Sequence, residues 1–145
     1  MNVPIRSEHI QARMQEIRSY VARIQHYTAV PDEEFFADER NVYTVEHLLL
    51  RCIESAASIC SHIMARLAHT APSSYADCFQ TMAEKGILDP DLAHHLTRAA
   101  RFRNILVHRY WHLDDREVLA IARQHTKDFL KFVEQVGSWL QHRSS

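Results

Sequence analysis

NVYTVEHLLLRCIESAASICSHIMARL, residues 41–67, is the stretch that decides how this chain folds. Within it Val42, Val45, Leu49, Cys52, Ala56, Ile59, Ile63 and Leu67 recur at steps of three and four residues. That spacing lines one face of an α-helix and cannot line one face of a strand, where the period is two. It predicts a long helix from about Asp38 to Thr70, with an apolar face that needs partners.

The rest of the chain supplies them. From Ser7 to about Val30 the residues Ile10, Met14, Ile17, Val21 and Ile24 follow the same rule, and Pro31 ends that helix. Ser73 or Ser74 can cap a short helix carrying Tyr75, Phe79 and Met82, with Gly86 where a helix C-terminus favours a left-handed residue. Asp89-Pro90-Asp91 combines an N-cap, a proline suited to the first helical position and an acid at the positive helix end. Asp114 with Glu117 resembles a capping box, followed by Val118, Ile121, Phe129, Val133 and Val136 as the stripe of a last helix. Four long or medium helices and one short one, joined by short connections, predict an all-α antiparallel bundle.

Composition sets the outer limits. At 145 residues, with 46% hydrophobic and 24% charged, the chain reads as one globular domain, 1–145, with its core between about 7 and 137. A net charge of -1 argues against a protein that coats nucleic acid. No apolar leader and no run of roughly 18 apolar residues are evident, so no membrane contact and a cytoplasmic location are expected. Cys52, Cys60 and Cys78 lack CxxC spacing; they signal neither a disulfide framework nor a zinc site and read as buried, inert thiols. Met14, Met64 and Met82 read as core.

The chemistry is concentrated around RNILVHRYW, residues 103–111. Between Leu92 and Leu113 there is no Asp or Glu, while Arg98, Arg101, Arg103 and Arg109 stand among His94, His95, His108 and His112. This is a local positive field suited to phosphate, unless the arginines pair with acids elsewhere in the bundle. On a continuous helix Arg103 and His108 lie about 140° apart. Either the helix breaks within NILVH, or a second copy of the chain supplies the missing partner. An arginine is a permanent bidentate donor for a phosphoryl group, and a histidine moves protons near neutral pH. Together they suit RNA cleavage, in which a base deprotonates the 2′-hydroxyl and an acid protonates the leaving oxygen. That chemistry demands no metal or other cofactor.

FRNILVHRYW, with Arg, four residues, His, one residue and Tyr, resembles the signature of HEPN-domain proteins, and specifically the HepT toxins of HEPN/MNT toxin–antitoxin pairs. The likeness extends through SYADCFQTMAEKGILDPDLAHHLTRAARFRNILVHRYWHLD and LLLRCIESAASICSHIMA, nearly all of residues 7–137. The resemblance implies a helical bundle that dimerises so that two motifs face each other and form a metal-independent endoribonuclease site for tRNA or mRNA. It implies that Arg103 stabilises the phosphate, His108 does the acid–base work, and Asn104 and Glu54 support them. It also implies that Tyr110 receives AMP from a partner nucleotidyltransferase of the MntA type, which silences the toxin. Arg98, Arg101 and Arg109 would then bind RNA phosphates. Where many relatives place an Asp and an Asn on the second helix, this chain has Ser58 and Ser61.

Two other readings compete. HEPN domains also serve as non-catalytic nucleotide- or substrate-binding partners of nucleotidyltransferases, in which case Arg103 and His108 bind phosphate without cleaving. A purely structural bundle could instead pack its basic segment on an acidic partner. Other chemistry has little support. His108 with His112, and His62 with His69, come without a carboxylate at zinc spacing. Ser55, Ser58 and Ser61 form no nucleophile elbow, and two glycines allow no phosphate-cradling loop.

Overall fold

Six helices make up the computed structural model, which describes residues 5–67, 72–108 and 114–144: α1 (Ser7–Thr28), α2 (Asp32–Ala37), α3 (Glu39–Leu67), α4 (Tyr75–Glu84), α5 (Pro90–His108) and α6 (Asp115–Ser144). No strand occurs among the described residues. The expected apolar stripes are the core: Ile10, Met14, Ile17, Val21 and Ile24 of α1 are buried against Val42, Val45, Leu49, Cys52, Ala56, Ile59 and Ile63 of α3. Val118, Phe129, Val133 and Val136 of α6 close the same core, and Phe79 of α4 meets Phe132 edge to face at 6.0 Å. Each of the buried Val, Leu, Ile, Met and Phe side chains contributes roughly 1.5–3 kcal/mol by leaving water.

The neighbours run antiparallel. Arg6 meets His62, Glu16 meets Ser55 and Tyr20 meets Arg51, so α1 and α3 run in opposite directions. Between α5 and α6, Asp89 pairs with Gln135 and His95 with Asp128, again in reverse order.

The helix ends follow local chemistry. Ser74 caps α4 by accepting from the Asp77 N–H at 3.0 Å, while the Asp77 carboxylate accepts from the Ser73 N–H. Gly86, at φ +75°, ends α4: its N–H reaches the Ala83 carbonyl and that of Ile87 the Met82 carbonyl, closing a Schellman motif. Asp114 caps α6 through the Arg116 N–H. Asp38 starts α3 through the Arg40 N–H, and the Arg40 guanidinium beside it holds its carboxyl below the usual carboxylate range.

Three expectations need correction. The first is α2, a sixth helix. Six residues are too short for a periodic pattern, but Asp32, Glu33 and Glu34 favour the positive helix start and Phe35 is fully buried. Arg123 of α6 braces it, donating to Asp32 at 2.7 Å and to the carbonyls of Thr28 and Val30.

The second is the cysteines: all three are buried, but Cys60 of α3 and Cys78 of α4 form a disulfide, their Cα atoms 6.1 Å apart. Only Cys52 is free, and burial pushes its thiol well up. The third is α3 itself. An 18-residue window of it reaches a mean hydropathy of 1.3, enough by length and composition to cross a membrane, but 61% of that window is buried in the bundle.

Candidate active site

α5 is continuous from Pro90 to His108. The chain therefore does not break within NILVH, and positions 103 and 108 stay about 140° apart around one axis. Asn104 and the β-branched Ile105 and Val107 are accommodated as ordinary helical residues.

Arg103 is half-buried where the first turn of α4 meets α5. Its guanidinium carbon lies over the Tyr75 ring, 5.2 Å from the centroid, within the range of a cation–π contact. One terminal nitrogen donates weakly to Asn104 Oδ1 at 3.4 Å, and its Nε is buried with no partner among the described residues. Both neighbours are neutral, so the positive charge is not cancelled. A cleft of about 450 Å³ opens beside it, lined by Ser74, Tyr75, Ala76, Ala100, Arg101, Arg103 and Asn104.

Arg98 and Arg101 are exposed on α5, and no carboxylate pairs with Arg98, Arg101 or Arg103 among the described residues. These three arginines are therefore not consumed by acids among the described residues. His95 differs: it turns toward α6, with Nδ1 3.3 Å from Asp128, whose other oxygen holds the buried His125 at 2.8 Å. Ile105 and Val107 leave apolar surface near the end of α5, at 39% and 41% exposure.

The remaining predicted residues divide. Glu54 is half-buried on α3, and the contacts of Arg103 do not include it. Ser58 is half-buried and Ser61 exposed on the same helix. Arg109 and Tyr110 lie outside the described residues, as do His69 and His112, and for His108 only the helical backbone is described. No group of three or more His, Cys, Asp or Glu side chains suited to a metal occurs among the described residues. Sequence reasoning passed over Tyr75 as a partner of Arg103; an aromatic directly after a capping serine was the available signal, but nothing in it specifies α5 as the neighbour.

The family model described as Ribonuclease HepT-like matches residues 17–136. The chain belongs to this HEPN family. Among its HepT-like relatives, the tRNA nuclease HepT of Aphanizomenon flos-aquae is 23% identical over 131 residues, covering 90% of this chain and 89% of that protein. The structure resembles the tri-AMPylated HEPN toxin of Shewanella oneidensis solved in complex with an MNT antitoxin, with TM-score 0.84 and 26% identity over 92% of this chain and 99% of that one. It also resembles a chain of a toxin–antitoxin crystal structure with AMP-PNP, with TM-score 0.82 and 26% identity over 91% and 99%. The helical bundle of this HepT-like chain is thus the HEPN fold.

Proposed function

We propose that this chain is the toxin of a toxin–antitoxin pair, a metal-independent HEPN endoribonuclease that cleaves tRNA or mRNA in the cytoplasm as a homodimer. The observation that carries the reading is the unbroken α5, which holds Arg103 beside neutral groups and keeps position 108 on another side of the helix. A two-fold axis near the end of α5 would bring the Arg103 of one copy toward the His108 of the other. The exposed Ile105 and Val107 are consistent with such a contact. We take residues 1–145 as one HepT-like domain with its core between about 7 and 137, in line with the family match over 17–136.

The chemistry follows from the residue types. One His108 removes the proton of a 2′-hydroxyl, whose oxygen attacks the adjacent phosphorus. Arg103 stabilises the added negative charge, and a second His108 protonates the departing 5′-oxygen. The products are a 2′,3′-cyclic phosphate and a free 5′-hydroxyl. Asn104 steadies Arg103 through its side-chain oxygen, Glu54 assists from α3, and Arg98, Arg101 and Arg109 hold the flanking phosphates.

Control falls to Tyr110 and an MntA-type nucleotidyltransferase. The tyrosine oxygen attacks the α-phosphorus of ATP and expels pyrophosphate, leaving AMP on the toxin. The added phosphodiester anion and nucleoside then occupy and repel the place of RNA phosphate. The likeness to a tri-AMPylated HEPN toxin held by an MNT antitoxin supports this step.

Total tRNA incubated with the protein in excess EDTA, beside His108→Ala, tests the reading. Cleavage by the wild type alone, with cyclic phosphate ends, supports it. Intact RNA with a folded, unmodified wild type overturns it in favour of a phosphate-binding partner that does not cleave. For the control step, Tyr110→Phe should remain toxic and take up no AMP from the antitoxin and ATP.

A further inference from the structure

We propose that Tyr75 is the positioning residue of Arg103, carrying the guanidinium on its ring face so that the N–H edge stays open to an RNA phosphate. The inference rests on the ribonuclease reading for its consequence and on the geometry of α4 and α5 for its substance.

An arginine that must bind phosphate has conflicting needs. It must be held still, because a misplaced donor forfeits much of its effect on a transition state. Yet the usual way of holding an arginine, a bidentate carboxylate, occupies the same in-plane N–H groups that phosphate requires and cancels the charge. An aromatic ring avoids the conflict. It attracts the guanidinium through its face and leaves the in-plane donors available.

Arg103 shows this arrangement. Its guanidinium carbon is 5.2 Å from the Tyr75 centroid, no carboxylate pairs with it among the described residues, and its hydrogen-bond acceptor there is the neutral Asn104. Its Nε is buried with no partner among the described residues, so the donors offered to a phosphate are those of the terminal nitrogens. The pair borders the cleft of about 450 Å³, which Ala76, Ala100 and Arg101 also line.

Tyr75 is itself fixed from two directions. The reciprocal Ser74–Asp77 and Asp77–Ser73 hydrogen bonds set the first turn of α4. One turn further on, Cys78 ties the same helix to α3 through Cys60. The ring therefore belongs to a stiff element and not to a loop, as a support for a catalytic group requires.

The test compares wild type, Tyr75→Phe, Tyr75→Leu and Tyr75→Met in two measurements: cleavage kinetics on an RNA oligonucleotide, and affinity for the same oligonucleotide made uncleavable by 2′-O-methylation. Melting curves verify folding, and the half-buried site gives Leu and Met two independent chances of a folded aliphatic variant. The phenylalanine variant keeps the ring face and should stay within about twofold of wild type. Either aliphatic variant should lose roughly tenfold or more in kcat, with an affinity loss of only about threefold. Aliphatic variants with wild-type kcat and affinity overturn the proposal, as does a phenylalanine variant as impaired as they are. If the wild type cleaves nothing, the ribonuclease reading fails and the affinity series alone decides: weaker binding confined to Leu and Met supports the positioning role, and equal binding by all four overturns it.

Discussion

Arg103 and His108 occupy one unbroken helix, at positions about 140° apart around its axis. In the proposed homodimer, a site that uses both takes them from two copies of the chain. Arg103→Ala and His108→Ala should each lose roughly 100-fold or more in cleavage rate. Because the proposed mechanism draws one His108 from each copy as base and acid, wild type refolded together with increasing shares of His108→Ala should lose activity as the square of the wild-type fraction. A loss in simple proportion to that fraction would mean that each chain works alone.

Much of this was legible beforehand because the helical period is a strong signal where it persists. The stripes of α1, α3 and α6 run over many turns, and nearly every residue assigned to them is buried. The caps at Ser74, Gly86 and Asp114 were legible for a local reason, since their partners lie within a few residues. What escaped was what depends on which helices become neighbours. Nothing near Cys60 or Cys78 in the sequence indicates that α4 docks on that turn of α3, and nothing near Tyr75 points to Arg103. His95, counted toward the positive field, is instead drawn to Asp128, 33 positions away, in the seam between α5 and α6.

The exposed arginines give a prediction in salt. With no carboxylate pairing Arg98 or Arg101 among the described residues, each phosphate contact they make in the proposed RNA complex would release counterions. Arg98→Ala and Arg101→Ala should each weaken RNA binding and lower the slope of log affinity against log salt by about 1. Arg123→Ala is the internal control, because that guanidinium is engaged by Asp32 and the carbonyls of Thr28 and Val30. It should destabilise the fold and leave the slope unchanged; an unchanged slope in all three variants would remove α5 from the RNA path.

The Cys60–Cys78 bond closes a loop of 18 residues between α3 and α4. Cross-links over such distances stabilise by about 3 kcal/mol, chiefly by restricting the unfolded chain. The paired variant Cys60→Ala, Cys78→Ala should therefore melt clearly below wild type under oxidising conditions and close to it after full reduction of the wild type. Both sulfurs belong to buried residues, so a dithiol reductant should act slowly on the folded protein and quickly once denaturant opens it. Equal melting of wild type and variant without reductant would show that the cross-link adds nothing.

His62 should make stability depend on acid. Its Nε2 accepts the Arg6 backbone N–H at 3.0 Å, and His9 stacks on its ring at 4.8 Å. An imidazole that accepts through this nitrogen is neutral there, and burial, followed by the charges of Arg66, His9 and Arg6, lowers its pKa from 6.5 to about 4. The folded form thus resists a proton that the unfolded form accepts. Between about pH 6.5 and about pH 4 the unfolded chain binds more protons, so this contribution to stability is intact above the window and is lost as the pH falls through it. His62→Gln keeps a hydrogen-bond acceptor and removes the titration. Its stability should fall less steeply than that of wild type over this range, and parallel pH profiles would assign the acid sensitivity to other groups.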